Sequence, residues 1–200
     1  MYTNHTLLSF PETRILRVFL DFKRHYFAEL TKVTKLTRPR TLRALRKLAK
    51  QNILEVRTEA NVKYYSLKKI PIVYSTLAIV EYNYALIFLA KNKTLARALE
   101  LFKEKYTDYQ VMLIFGSLAK GYATKSSDID LMLLKETVSQ DDVKKMENTS
   151  DLINGRTGLK ISPYLMTLKE FKNRNDLAKQ AIEQHILIDG AELFFRMALS

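Results

Sequence analysis

Two apolar runs joined by a turn constrain this chain most. The first, "YQVMLIFGS" (109–117), has no polar alternation and stops at Gly116-Ser117. It reads as a strand buried on both faces. "LAKGY" then opens as the first turns of a helix. With ten residues between, Ser117 is followed by the second run, which begins with Asp128-Ile129-Asp130 and continues "LMLL". On a strand that spacing points both carboxylates to one face, while Ile129, Leu131 and Leu133 point to the other, toward a core. Two carboxylates so close repel each other unless a cation sits between them. Hard oxygen ligands favour Mg²⁺. A strand-to-helix turn presents unpaired backbone N–H groups. Gly lets a phosphate come close to the backbone, and the Ser hydroxyl adds a donor. The two runs are therefore expected to form one nucleotide–metal site. Gly116 and Ser117 would serve phosphate, and Asp128 and Asp130 would serve the ion.

Over about 20 residues, "FGSLAKGYATKSSDIDLML" resembles the signature of the DNA polymerase beta-type nucleotidyltransferase superfamily, and within it the minimal nucleotidyltransferase branch. The resemblance implies that Asp128 and Asp130 are catalytic metal ligands for Mg²⁺. It implies that Gly116 and Ser117, with Lys120 and Ser127, bind ATP or another NTP. Lys120 stands where Arg is frequent in that branch, and Lys125 is a second cation near the phosphates. Some members of the branch modify a toxin-like protein partner. Active members carry a third carboxylate on a later strand. The best strand here, "GLKISPYLMT" (158–167), contains no Asp or Glu. The missing acid falls near Ser162, with Lys160, Ser162 and Tyr164 on one face. Glu170 and Asp189 follow without a strand setting. Loss of a general base typically costs a factor of about 10²–10⁴.

The formal net charge of +12 is unevenly spread. Residues 1–70 hold 16 Lys and Arg against 5 Asp and Glu, a net of +11. The remaining residues hold 17 against 16, a net of +1. Such an excess points to a polyanion as partner of the first third. "PETRILRVFLDF" (11–22) and "AELTKVTKL" (28–36) read as helices, with Pro11 and Glu12 suited to the first turn. The third helix, 39–51, places Leu42, Leu45, Leu48 and Ala49 on one arc. Arg40, Arg43, Arg46, Lys47 and Lys50 fall on the opposite arc, with Arg38 just ahead. "ILEVRT" (53–58) and "VKYYSL" (62–67) read as strands about the turn "EAN". This order resembles a winged helix-turn-helix domain, whose third helix enters the DNA major groove while the hairpin touches the backbone. The resemblance implies double-stranded DNA as partner, through Arg38, Arg40, Arg43, Arg46, Lys47 and Lys50.

The segment 70–90 is apolar enough to raise a membrane span, but Glu81 and Asn83 lie inside it and Tyr residues interrupt it. The expectation is a buried connecting helix that contributes to a homodimer interface, and no membrane. "KTLARALELFKEKY" (93–106) continues as an amphipathic helix with Leu95, Ala98, Leu99 and Phe102 on its apolar side. The chain has no Cys, which excludes disulfides and thiolate metal sites. His5, His25 and His185 do not cluster, so no zinc site is expected. No basic segment followed by an apolar core opens the chain, and the expected location is cytoplasmic.

The sequence therefore predicts an α+β chain in three parts. Residues 1–69 form the winged helix-turn-helix, 70–106 the connecting helices, and 107–200 a nucleotidyltransferase-like fold of mixed sheet flanked by helices. Two functions stay open: a Mg²⁺-dependent nucleotidyltransferase, antitoxin-like toward a partner protein, or a catalytically degenerate regulator that senses nucleotide or docks a partner.

Overall fold

A computed structural model describes residues 8–124 and 127–199; Lys125 and His5 lie outside the described residues. The chain divides into two compact units, one running to Val80 and the other from Glu81.

The first unit opens with α1 (Phe10–Val18), a 3₁₀ turn (Phe19–Asp21) and the short strand β1 (His25–Tyr26). It continues with α2 (Phe27–Thr34), α3 (Arg38–Lys50), β2 (Leu54–Glu59) and β3 (Val62–Leu67). The strands form one antiparallel sheet in the order β1-β3-β2. Local chemistry sets the boundaries. The Ser9 N–H donates to the Glu12 carboxylate at 2.9 Å, closing the start of α1. Thr37 precedes α3 in an extended conformation and Pro39 occupies its first turn. The β2–β3 turn holds both Ala60 and Asn61 at positive φ, 44° and 65°, the requirement of a tight two-residue hairpin. Ile15, Leu16, Phe19, Leu30, Leu45, Leu48 and Leu54 fill the core.

The buried arc of α3 differs from the expected one. It carries Thr41, Ala44, Leu45 and Leu48, while Leu42 and Ala49 are only half-buried. The helix is rotated toward small residues because Ala44 and Thr41 allow α1 and α2 to approach closely. Thr41 hides its hydroxyl by donating to the Thr37 carbonyl at 3.2 Å. Leu42 instead lines an open groove of about 700 Å³ with Tyr26, Phe27, Val62 and Tyr65.

Helix α4 (Pro71–Lys91) is long and apolar enough to cross a membrane by length and composition, and 33% of its most apolar window is buried. Glu81, near its midpoint, is 1% exposed. Helix α5 (Lys93–Lys105) belongs to the second unit, where Leu95, Ala98, Leu99 and Phe102 join the core.

In the second unit β4 (Val111–Ile114) leads into α6 (Gly116–Lys120), and β5 (Ile129–Lys135) into α7 (Gln140–Thr157). Then come β6 (Ile161–Thr167), α8 (Leu168–Lys172), α9 (Asp176–Glu183), β7 (Ile186–Asp189) and α10 (Ala191–Ala198). The sheet order is β6-β5-β4-β7. β5 pairs β6 in parallel, and β4 pairs both β5 and β7 antiparallel, so the sheet is mixed as expected. Val111 through Ile114 and Leu131 through Leu134 are all fully buried, which explains their unbroken hydrophobicity. Met112, Ile114, Ile129, Leu131 and Leu133 cluster with side chains of α5 and α7, while α8 packs on β5 and α10 on β4.

Candidate functional site

β4 and β5 bring the Gly-Ser turn and the two aspartates together. Their antiparallel register pairs Ile114 with Leu131, and the Phe115 N–H donates to the Asp130 carbonyl at 3.0 Å. The turn then passes directly over the Asp130 side chain. Gly116 has φ +68°, and a Cβ there would lie 2.0 Å from Asp130 Oδ2. Only glycine satisfies both the left-handed backbone and this approach. The helix expected to follow is a single short turn of five residues, closed at Gly121 with φ 80°. The turn therefore opens onto a helix too short to carry a long helix dipole.

Asp128 sits one residue before β5, and Asp130 is its second residue. Burial raises the Asp130 carboxyl above its ordinary range, the Asp128 charge raises it further, and Lys120 opposes both. Lys120 is thus close enough for its charge to act on Asp130. Ser127 has its described contacts with Thr124. The Ser127 hydroxyl accepts from the Thr124 N–H at 2.9 Å and closes the loop ahead of Asp128. That bond supports the loop.

Among the described residues Asp128 has two partners, both on β6 or its threshold. Lys160 Nζ lies 2.8 Å from Asp128 Oδ2, and Ser162 Oγ donates to the same oxygen at 3.1 Å. The Lys160 hydrogen bond, ahead of the Ser162 one, holds the Asp128 carboxyl below its ordinary value. The parallel register sets Ser162 opposite Asp130, so the position expected for a third acid does face the pair, and a hydroxyl occupies it. Glu170 and Asp189 are spent elsewhere. Glu170 accepts from the Thr167 N–H at 2.9 Å at the start of α8, and Asp189 pairs with Lys103 at 2.8 Å. Among the described residues no group of three His, Cys, Asp or Glu is placed to hold a metal.

This donor set fits one divalent ion. The Asp128 charge raises the cost of ionising Asp130, which a shared cation would relieve. Mg²⁺ uses one or two carboxylates and takes further oxygens from phosphates and water. Lys160 was not singled out as a site residue. Its signal in the sequence was its strand face: two positions from Ser162, it shares the side that meets the aspartates.

The basic residues of α3 are divided by the structure. Arg40, Arg43, Arg46 and Lys50 are exposed. Arg38 is exposed and stacks over the Phe27 ring at 5.6 Å. Lys47 instead pairs at 2.9 Å with Glu12, whose side chain is 5% exposed. Its charge is used inside the unit. Lys63, exposed near the hairpin tip, lines the same groove as Arg38 and is a cation the sequence reading did not include.

A buried strand runs into a Gly-Ser turn that packs on an Asp-x-Asp pair at the start of the adjacent strand, the arrangement expected of a nucleotidyltransferase-type domain. The family described as Polymerase beta, Nucleotidyltransferase matches residues 97–194, which supports placing this domain in that superfamily. No curated protein matches the chain. One solved structure similar to it is that of TrmBL2, an archaeal chromatin protein that shows a novel mode of DNA binding. It shares 18% identity over 88% of this chain and 72% of that one, with a TM-score of 0.31. A likeness at that level carries no argument about this chain.

Proposed function

We propose that this chain is a cytoplasmic DNA-binding protein whose second unit binds a nucleoside triphosphate with Mg²⁺ and transfers its nucleoside monophosphate to a hydroxyl acceptor. The observation that carries the nucleotide reading is the approach of Gly116 to Asp130, which leaves no room for a side chain. A turn that close can present phosphate oxygens to an ion held by Asp128 and Asp130. Ser117 would donate to phosphate, and Lys120 would offset its charge. The ion, when bound, would neutralise charge on the phosphoryl oxygens. The acceptor in this reading is a partner protein, toxin-like, and the role antitoxin-like. With Ser162 where a base is needed, transfer is slow by about 10²–10⁴.

The first unit is read as a winged helix-turn-helix. Three helices followed by a hairpin support this, as does the exposed row Arg40, Arg43, Arg46 and Lys50 with Arg38 beside it. Five such cations would release counterions from double-stranded DNA. Tyr82, Leu86 and Ile87 of α4 are exposed at 61%, 48% and 59%, and they support self-association as a homodimer rather than a membrane role.

A second reading is favoured by the Ser162 and Lys160 contacts to Asp128: a regulator that binds nucleotide, transfers nothing, and changes its DNA affinity in response. One experiment separates the two. The full chain is incubated with α-labelled ATP, Mg²⁺ and candidate acceptors, beside an Asp128→Ala/Asp130→Ala control, and DNA mobility shifts are run with and without nucleotide. Label transfer above the control supports the enzyme. Nucleotide-dependent DNA binding without transfer supports the regulator. Neither result, with DNA binding unaltered when Arg40, Arg43 and Arg46 are neutralised, would falsify the whole proposal.

A further inference from the structure

We propose that Lys160 is the second cation of the nucleotide site: its ammonium, fixed on Asp128, takes the place of a second divalent ion, so a triphosphate binds with one metal rather than two. This rests on the nucleotide reading above and deepens it.

The geometry begins with the backbone. The N–H of Ile129, between the two aspartates, donates to the Lys160 carbonyl at 2.8 Å. Lys160 is thereby tied beside the pair as β6 enters the sheet. The next residue is clamped from α7. The Ile161 N–H donates to Asn154 Oδ1 at 2.9 Å, and its carbonyl accepts from Ser150 Oγ at 2.7 Å. Both α7 residues are on a helix that starts at a well-formed cap, where the Ser139 N–H donates to Asp142 at 2.8 Å. The segment that presents Lys160 and Ser162 is therefore held from two sides.

Its two side chains converge on a single atom. Lys160 Nζ and Ser162 Oγ both engage Asp128 Oδ2. Asp128 Oδ1 is engaged by neither, and with Asp130 it would hold one ion. A pair of divalent ions clamping the attacking and leaving oxygens of a phosphoryl displacement needs carboxylates enough to bridge and flank both. Here the third carboxylate is a hydroxyl. The oxygen a second ion would share already faces an ammonium, and an added dication would meet like charge. A nucleoside triphosphate brings its own negative charge to the same place, and the Lys160 ammonium offsets part of it without any metal. Lys160 is a positioning and charge-balancing residue in this account.

The test uses the full chain, Mn²⁺ and a non-hydrolysable ATP analogue, with bound ions counted from the electron paramagnetic resonance of free Mn²⁺. The expected count at saturation is one ion per nucleotide-bound chain. In Lys160→Met, Mn²⁺ alone should bind about three- to fivefold more tightly, because a like-charge competitor on Asp128 is gone. The analogue without metal should bind about three- to fivefold more weakly, a size set by an exposed ion pair. A merely structural role would move both affinities the same way. Lys160→Ala/Ser162→Asp should take up a second ion. Two ions on the unaltered chain, unchanged affinities in Lys160→Met, or a double variant that stays at one ion each overturn the proposal while leaving nucleotide binding intact. A chain that binds neither Mn²⁺ nor the analogue overturns the nucleotide reading, and this proposal with it.

Discussion

Replacing Gly116 by Ala probes the junction on which the second unit's site depends. Two costs add. An L-residue at φ +68° pays the left-handed penalty of about 1–2 kcal/mol. The new Cβ would also stand 2.0 Å from Asp130 Oδ2 and 2.9 Å from its Cγ. Those atoms belong to a short side chain on β5, whose backbone is pinned by the Phe115 and Ile129 hydrogen bonds. Asp130 must therefore rotate away or the turn must lift, an overpacking cost of about 1–3 kcal/mol. The second unit should lose about 2–5 kcal/mol in a denaturant titration followed by its own signal. Nucleotide affinity should fall at least tenfold even where the variant is folded, because turn and carboxylate no longer meet. A Gly116→Ala protein within about 0.5 kcal/mol of the original, with nucleotide affinity unchanged, would refute the reasoning. Gly121→Ala is the matched control. It carries a similar φ of +80° with nothing within 4 Å of a new Cβ, so it should show the backbone penalty alone.

Other consequences are simpler to state. Lys47→Met leaves the nearly buried Glu12 carboxylate bonded to Ser9 but without its cation, and should destabilise the first unit by about 1–3 kcal/mol, whereas Arg43→Met should change its stability by less than about 0.5 kcal/mol. His25 lies between Asp21 and Glu29, each 3.0 Å from a ring nitrogen. The Asp21 bond raises its pKa most, burial opposes, and Glu29 adds to the rise. Its stabilisation is thus full below the ordinary histidine value of about 6.5 and is lost as pH rises through the raised folded value. His25→Gln should flatten that alkaline loss in thermal melts of the first unit, and an unchanged profile would count against the triad. His185 behaves oppositely: burial against Phe194 pushes it down to about 4, so the second unit should lose stability as pH falls from about 6.5 toward that value. His185→Phe should lessen the acid loss.

Much of this was readable from residue order because the signals were local and strong. The strands at 111–114 and 129–135 announced themselves by unbroken apolar runs between turn residues, and the i, i+2 aspartates by strand alternation. The vacant third-acid position near Ser162 followed from counting along one strand. What escaped the sequence depended on partners distant in the chain. The rotation of α3 toward Thr41 and Ala44 is set by α1 and α2, which periodicity alone does not weigh. Lys47 looked like one more surface cation until Glu12, 35 residues away, claimed it. Lys160 shares a strand face with Ser162 in the sequence, but its contact with Asp128 depends on the parallel pairing of β5 and β6. Ser127, adjacent to the motif, accepts from the Thr124 N–H, a contact that depends on how the loop closes.

The central claim is that the Gly116–Ser117 turn and the Asp128–Asp130 pair are one nucleotide–cation site. Crystals of the full chain soaked with Mn²⁺ and a non-hydrolysable ATP analogue, with data collected at the manganese absorption edge, test it most directly. The account predicts one anomalous peak touching both Asp128 and Asp130, with phosphate oxygens against the Gly116–Ser117 backbone. A nucleotide bound elsewhere on the chain, or manganese that touches neither aspartate, would contradict it.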